Sequence, residues 1–142
     1  LPILIADDQR DVTEALRLLL KAEGLASVCV DSPDAAIDAV RTREFGCALL
    51  DLNYSRDTTS GGEGLALIER LHALDPGLPM VAMTAWGTID LAVRALKAGA
   101  ADFIEKPWEN ARLLSVVLNQ LKLRDAQRRE ARLARENEIL RG

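Results

Sequence analysis

Short apolar runs alternate along the chain with stretches of helical periodicity. Ile3 to Ala6 is a brief apolar run that ends on Asp7 and Asp8. Val12, Ala15, Leu16 and Leu19 then recur at helical spacing, and Gly24 closes that helix. Ala26 to Val30 is the next strand candidate. Ser32 and Pro33 supply an N-cap and a first-turn proline for a helix carrying Ala36, Ile37 and Val40. Cys47 to Leu50 is a third apolar run, ending on Asp51. A polar, Gly-rich stretch from Asn53 to Gly64 precedes a helix bearing Leu65, Ile68 and Leu71. Leu78 to Met83, interrupted early by Pro79, ends at Thr84. Ile89, Ala92, Val93 and Leu96 mark a fourth helix, with Gly99 as its C′ residue. Asp102 to Glu105 is the fifth strand candidate, closed by Lys106 and Pro107, and a last helix begins near Trp108.

Five strands alternating with five helices predict an α/β fold: a five-stranded parallel sheet covered on both faces. Right-handed crossovers leave few topologies, of which the doubly wound sandwich leads. A length of 142 residues, 49% apolar and 28% charged, suits one soluble domain rather than two or a disordered chain. No stretch approaches the ~18 consecutive apolar residues of a membrane span. Leu1 to Ala6 lacks the basic flank of a secretory signal. Cys29 and Cys47 each sit inside an apolar run and are expected as small core residues of a reduced, cytoplasmic protein.

Charge divides the chain. Residues 1–121 carry 11 Lys+Arg and 18 Asp+Glu, whereas residues 122–142 carry 7 basic and 4 acidic groups, so a net of −7 is followed by +3. An acidic body disfavours direct nucleic-acid binding by this region. The mixed signs of the tail suit a solvated helix face better than a basic arm.

In a doubly wound sheet ligands bind beyond the carboxyl ends of the strands. Asp7 and Asp8 end strand one, Asp51 strand three, Thr84 strand four and Lys106 strand five. Any one of these has a plain explanation as a turn, cap or strand residue. Together they place complementary groups on one edge. Crowded carboxylates repel unless a cation sits among them, and Mg²⁺ suits a site of few carboxylates and several waters. An ionised aspartate can then attack phosphorus and form an aspartyl phosphate. A hydroxyl and an ammonium beside it would receive the phosphoryl oxygens.

Four segments carry a resemblance: I-L-I-A-D-D at 3–8, L-L-D-L-N at 49–53, V-A-M-T-A at 81–85 and D-F-I-E-K-P at 102–107. In order and spacing they resemble the receiver domain of bacterial two-component response regulators, over residues 1–121. The resemblance implies a flavodoxin-like strand order 2-1-3-4-5 and an Asp51 that accepts a phosphoryl group from a sensor histidine kinase. It implies Asp8 and Asp51 as direct Mg²⁺ ligands, Asp7 largely through water and Asn53 through its backbone carbonyl. Thr84 and Lys106 would contact the phosphoryl group, assisted by the N–H groups of Leu52 and Ala85. Thr84 would move on phosphorylation while Phe103 turns inward, without the hydroxyl often found there. The Lys106–Pro107 bond would be cis, although X–Pro bonds are usually trans.

The loop after Asp51 departs from that pattern. The Gly64-Leu65 pair that opens the next helix comes thirteen residues after Asp51, where the family has a shorter turn. The polar insert 54–63 is either a tolerated surface insertion or a partial cover for the site. Trp86 suits packing against the next helix and a partner contact equally. Trp108 suits a packing anchor. His72, the single histidine, suits a surface or helix-end position rather than a metal.

From Glu109 on there is no proline, and no glycine before Gly142. Leu114, Val117, Leu118 and Leu121 make a face that can pack on the sheet. Val116, Leu123, Ala126, Leu133, Asn137 and Leu140 fit heptad seam positions, with Asn119 and Glu130 as polar intrusions. Residues 122–142 are therefore expected as a helical linker joining two copies as a homodimer, a frayed tail being the alternative. The segments at 87–103 and 106–108 are similar to receivers of sigma-54-dependent transcription activators, which implies downstream ATPase and DNA-binding domains. Two other functions remain open at this point. One is a metal-dependent phosphohydrolase, against which stands Asn53 where a second catalytic aspartate is expected. The other is a dimerisation module with a vestigial acidic site. A nucleotide-binding sandwich is disfavoured because the turn Ala6 to Gln9 has no glycine to admit a pyrophosphate.

Overall fold

The computed structural model describes residues 1–52, 62–85 and 89–141, with only the backbone of 62 and 141. The described strands are β1 (Ile3–Ala6), β2 (Ser27–Val30), β3 (Cys47–Asp51), β4 (Met80–Thr84) and β5 (Asp102–Glu105). Between and after them lie α1 (Arg10–Ala22), α2 (Pro33–Thr42), α3 (Gly62–Leu74), α4 (Ile89–Ala98) and α5 (Asn110–Arg141). All pairings are parallel, in the order β2-β1-β3-β4-β5. The expected alternation and strand order are both present.

Each central strand is apolar up to its carboxyl end, where Asp51 closes β3 and Thr84 closes β4, because each of its faces is covered. Leu4, Ala6, Ala48, Leu50 and Ala82 face a core shared with Ile37, Ile68 and Leu91, from α2, α3 and α4. Ile3, Ile5, Leu49, Val81 and Met83 face a second core with Leu16 and Leu20 of α1 and Leu113, Val116 and Val117 of α5. The helix ends follow the local chemistry expected of them. The Ser32 hydroxyl accepts the Ala35 N–H at 3.1 Å, and Pro33 opens α2. Gly24 and Gly99 take positive φ, 76° and 127°, just beyond α1 and α4.

Four expectations need correction. Cys29 is exposed on β2, an edge strand of the sheet, with its Sγ 3.9 Å from the Thr13 carbonyl of α1. Ala15 is exposed, and Leu20 takes the buried place on α1 instead. On α5 the packed face is Leu113, Leu114, Val116, Val117 and Leu121, so that of the four residues expected there only Leu118 is exposed. Val116 is thus buried in its own molecule and cannot serve as a heptad seam residue. The reason is rotation: the packed stripe is turned from the expected one towards Leu113 and Val116, and an amphipathic repeat in a helix with two apolar stripes does not fix which stripe faces the sheet. As expected, α5 is helical to Arg141, roughly 48 Å at ~1.5 Å per residue.

Candidate functional site

The first strand delivers its two aspartates to the rim without help from a turn glycine. Asp7 N–H donates to the Val30 carbonyl at 3.1 Å, one last rung beyond β1, and the Asp7 Oδ1 accepts the Gln9 N–H at 2.9 Å. That Asx-type turn swings the chain into α1 and leaves Asp8 half-buried beside it. Asp51 closes β3 and is buried. Its strand is held beyond its own end, because the Leu52 N–H donates to the Met83 carbonyl at 2.8 Å. The same rung removes one expected role: the Leu52 N–H is engaged in the sheet and is not available to a phosphoryl oxygen.

β4 and β5 bring the remaining groups. Thr84 pairs with Glu105 in register, and the Lys106 N–H donates to the Thr84 carbonyl at 2.8 Å. That rung holds Lys106 at the rim, and the peptide bond that follows, Lys106–Pro107, is cis. The Lys106 Nζ reaches across the sheet to Asp7 Oδ2 at 2.6 Å and Asp51 Oδ1 at 3.1 Å. All three groups are largely out of solvent, so these are strong charge-assisted contacts. Thr84 is fully buried, and Ala85 is exposed next to it.

One carboxylate oxygen from each of Asp7, Asp8 and Asp51 lies within 4.8 Å of the other two. Three carboxylates against one ammonium leave a formal charge of −2 at the rim. An all-oxygen donor set of this size and charge fits a hard divalent cation such as Mg²⁺, which binds few carboxylates and retains waters. Asn53 and Trp86, and residues 54–61 of the insert, lie outside the described residues. Phe103 is half-buried against the α2–α3–α4 core and lines a groove with Ile89, Pro107 and Trp108. Trp108 packs on the opposite core, and its Nε1 donates to Asn110 Oδ1 at 3.1 Å. His72 is exposed on α3 and packs against Gly99, remote from the acidic rim.

One residue of the site, Gly64, is legible in the sequence only as a helix opener. A Cβ at Gly64 would lie 2.5 Å from Leu52 Cα and 3.0 Å from the Asp51 carbonyl oxygen. The start of α3 thus presses on the end of β3 at the acidic aspartate. The available signal was a glycine at a helix start, where a residue without a side chain permits close backbone approach.

The model of the response regulator receiver domain matches residues 3–118 of the chain. The chain belongs to this receiver family. FixJ of Bradyrhizobium diazoefficiens, a transcriptional regulatory protein, is 32% identical over 120 residues, covering 84% of this chain and 56% of that protein. The response regulator FleR of Pseudomonas aeruginosa is 36% identical over 115 residues, 81% of this chain and 23% of that protein. The crystal structure of the NtrX receiver domain from Brucella abortus superposes with a TM-score of 0.77 at 32% identity, over 84% of this chain and 98% of that one. The chain therefore spans about half of FixJ and about a quarter of FleR. Receiver domains are phosphorylation-dependent signalling switches that take phosphate from sensor histidine kinases. Among the described residues, no helix is long and apolar enough to cross a membrane.

Proposed function

We propose that Asp51 is the phosphoacceptor of this receiver and that Asp7, Asp8, Asp51 and Asn53 hold Mg²⁺, with Thr84, Ala85 and Lys106 receiving the phosphoryl oxygens. The observation that carries this reading is the Lys106 ammonium set between Asp7 and Asp51 on a rim with three converging carboxylates. An Asp51 carboxylate oxygen forms the new O–P bond as the N–P bond of the kinase phosphohistidine breaks and its imidazole retains the electron pair. When bound, Mg²⁺ would offset the charge of the incoming phosphoryl group. Lys106 pairs with the oxygens of that group and Thr84 donates its hydroxyl. Movement of Thr84, with Phe103 turning inward, then alters the groove beside Ile89 and Trp108.

In this reading residues 1–121 are the receiver and 122–142 a helical linker. The linker joins two copies through Leu123, Ala126, Leu133, Asn137 and Leu140, all of them exposed. The segments at 87–103 and 106–108 support a place in a sigma-54-dependent activator acting in the cytoplasm, with DNA contact left to other domains. The domain itself transfers no phosphate onward as an enzyme would. The test is incubation with a small phosphoryl donor, or with beryllofluoride as a mimic, with and without Mg²⁺. One phosphoryl group per chain, dependent on Mg²⁺ and absent in Asp51→Asn, is the expected result. Equal labelling of Asp51→Asn would overturn the assignment.

A further inference from the structure

The edge of the sheet away from the acidic rim carries a second piece of built structure, which phosphoryl chemistry does not use. Two connections meet α5 there, and both have an acid-x-glycine pattern: Glu44-Phe45-Gly46 before β3, and Asp75-Pro76-Gly77 before β4. Asp75 accepts a forked pair of bonds from Arg124, Nη2 to Oδ2 at 2.7 Å and Nη1 to Oδ1 at 3.3 Å. Arg124 is 8% exposed, an unusual burial for a charge on an otherwise solvated stretch of helix. One turn on, Arg128 Nη2 lies 3.5 Å from Glu44 Oε2.

The two glycines make room for the helix. A Cβ on Gly77 would come within 2.6 Å of Arg124 Nη1 and 3.2 Å of Gln127 Oε1. A Cβ on Gly46 would come within 2.5 Å of Leu121 Cδ2. Each loop therefore offers a bare backbone position for a helix side chain and a carboxylate for an arginine. Leu121, Arg124 and Arg128 continue the stripe that Leu113 and Val117 begin on the sheet. At ~100° per residue, the centre of Asn119, Leu123 and Ala126 lies roughly 150° around the helix from that stripe. Leu123 is 48% exposed and Leu133 55%.

We propose that this seat makes the start of the projecting helix a rigid continuation of the receiver, and so presents the Asn119–Leu123–Ala126 stripe to a second copy of the chain at a fixed angle. The inference rests on the pairing of two copies through α5 given above. It adds the intramolecular residues that aim the helix, Asp75 and Arg124 first, with Glu44, Gly46 and Gly77 in support. A second copy is the fitting occupant because the stripe keeps its heptad spacing through Leu133 and Leu140, interrupted by Glu130 and Asn137, and a heptad seam of this kind pairs with its own copy.

The test uses the 142-residue chain with Arg124→Gln and, separately, Asp75→Asn. Amide hydrogen exchange is followed at dilution, and self-association by sedimentation equilibrium. Loss of the forked pair is expected to speed exchange of the 121–128 amides roughly tenfold to hundredfold, with core strands unchanged. Pairing should weaken in parallel, and Asp51 phosphorylation by a small donor should continue at its ordinary rate. Unchanged exchange in both variants would overturn the seat. Faster exchange with undiminished pairing would overturn its role in presenting the stripe. A chain that stays monomeric at every concentration, yet shows the exchange change, would refute the pairing reading while leaving the seat in place.

Discussion

Cys47 and Cys29 look alike in sequence, each a cysteine in an apolar run, yet the fold gives them different chemistry. Burial pushes the Cys47 thiol up to about 12, with its Sγ–H directed at the Ala48 carbonyl, and burial also raises the partly exposed Cys29, less completely. An acid whose folded pKa is raised ionises first in the unfolded chain. Its burial is therefore neutral for stability below pH ~9 and costs stability as pH climbs from there towards 12, by about 1.4 kcal/mol per unit. Urea unfolding of the wild type and Cys47→Ala between pH 8 and 10.5 should show a steeper decline for the wild type; parallel curves would contradict this. At neutral pH an alkylating reagent should label Cys29 in the native protein and Cys47 only after unfolding. Gly64 is the other single residue with a large expected effect. Gly64→Ala must displace backbone at Leu52, so a loss of about 1–3 kcal/mol in urea is expected, together with slower phosphorylation at Asp51.

At the scale of elements, local signals placed most boundaries. Ser32 and Pro33 open α2, glycines close α1 and α4, and β4 begins just after Pro79, where a proline cannot continue the ladder. Ser32→Ala should cost about 1 kcal/mol by removing the bond to Ala35 N–H, measured as a shift in the urea midpoint with the slope unchanged. What local signals did not supply was orientation about the helix axis. α5 has apolar residues on two stripes, and only packing against β1, β3 and β4 selects Leu113 and Val117 over Leu118. The Arg124 seat was legible in part. An arginine one heptad beyond Val117 continues a buried stripe, and its acidic partner sits in a loop 49 residues earlier.

For the whole molecule, the rim is an electrostatic compromise that the rest of the fold supports. Asp7, Asp8 and Asp51 converge because the carboxyl ends of the adjacent parallel strands β1 and β3 lie at one edge, and Lys106 offsets only part of their charge. Asp8→Asn should therefore raise stability on the order of 1 kcal/mol in Mg²⁺-free buffer. The wild type should gain about 2.7 kcal/mol at a Mg²⁺ concentration 100 times its Kd, a gain that Asp8→Asn should lack. Thermal unfolding with and without Mg²⁺ checks both signs, and an equal Mg²⁺ response in the two proteins would remove Asp8 from the ion site.

The alternation of apolar runs and helical repeats, the aspartates at the strand ends and the glycines at helix ends all follow from the chain itself. They depend on backbone conformation, on short continuous apolar runs and on a period of about 3.6, which neighbours in sequence determine. Which strand lies at the edge, which stripe of α5 meets the sheet, and that the Leu52 N–H is spent on Met83 depend on partners tens of residues away. The Lys106 bridge to two aspartates and the Arg124 seat belong to the same class. Each joins residues 49 to 99 positions apart, and such contacts acquire their energy only after the sheet has assembled.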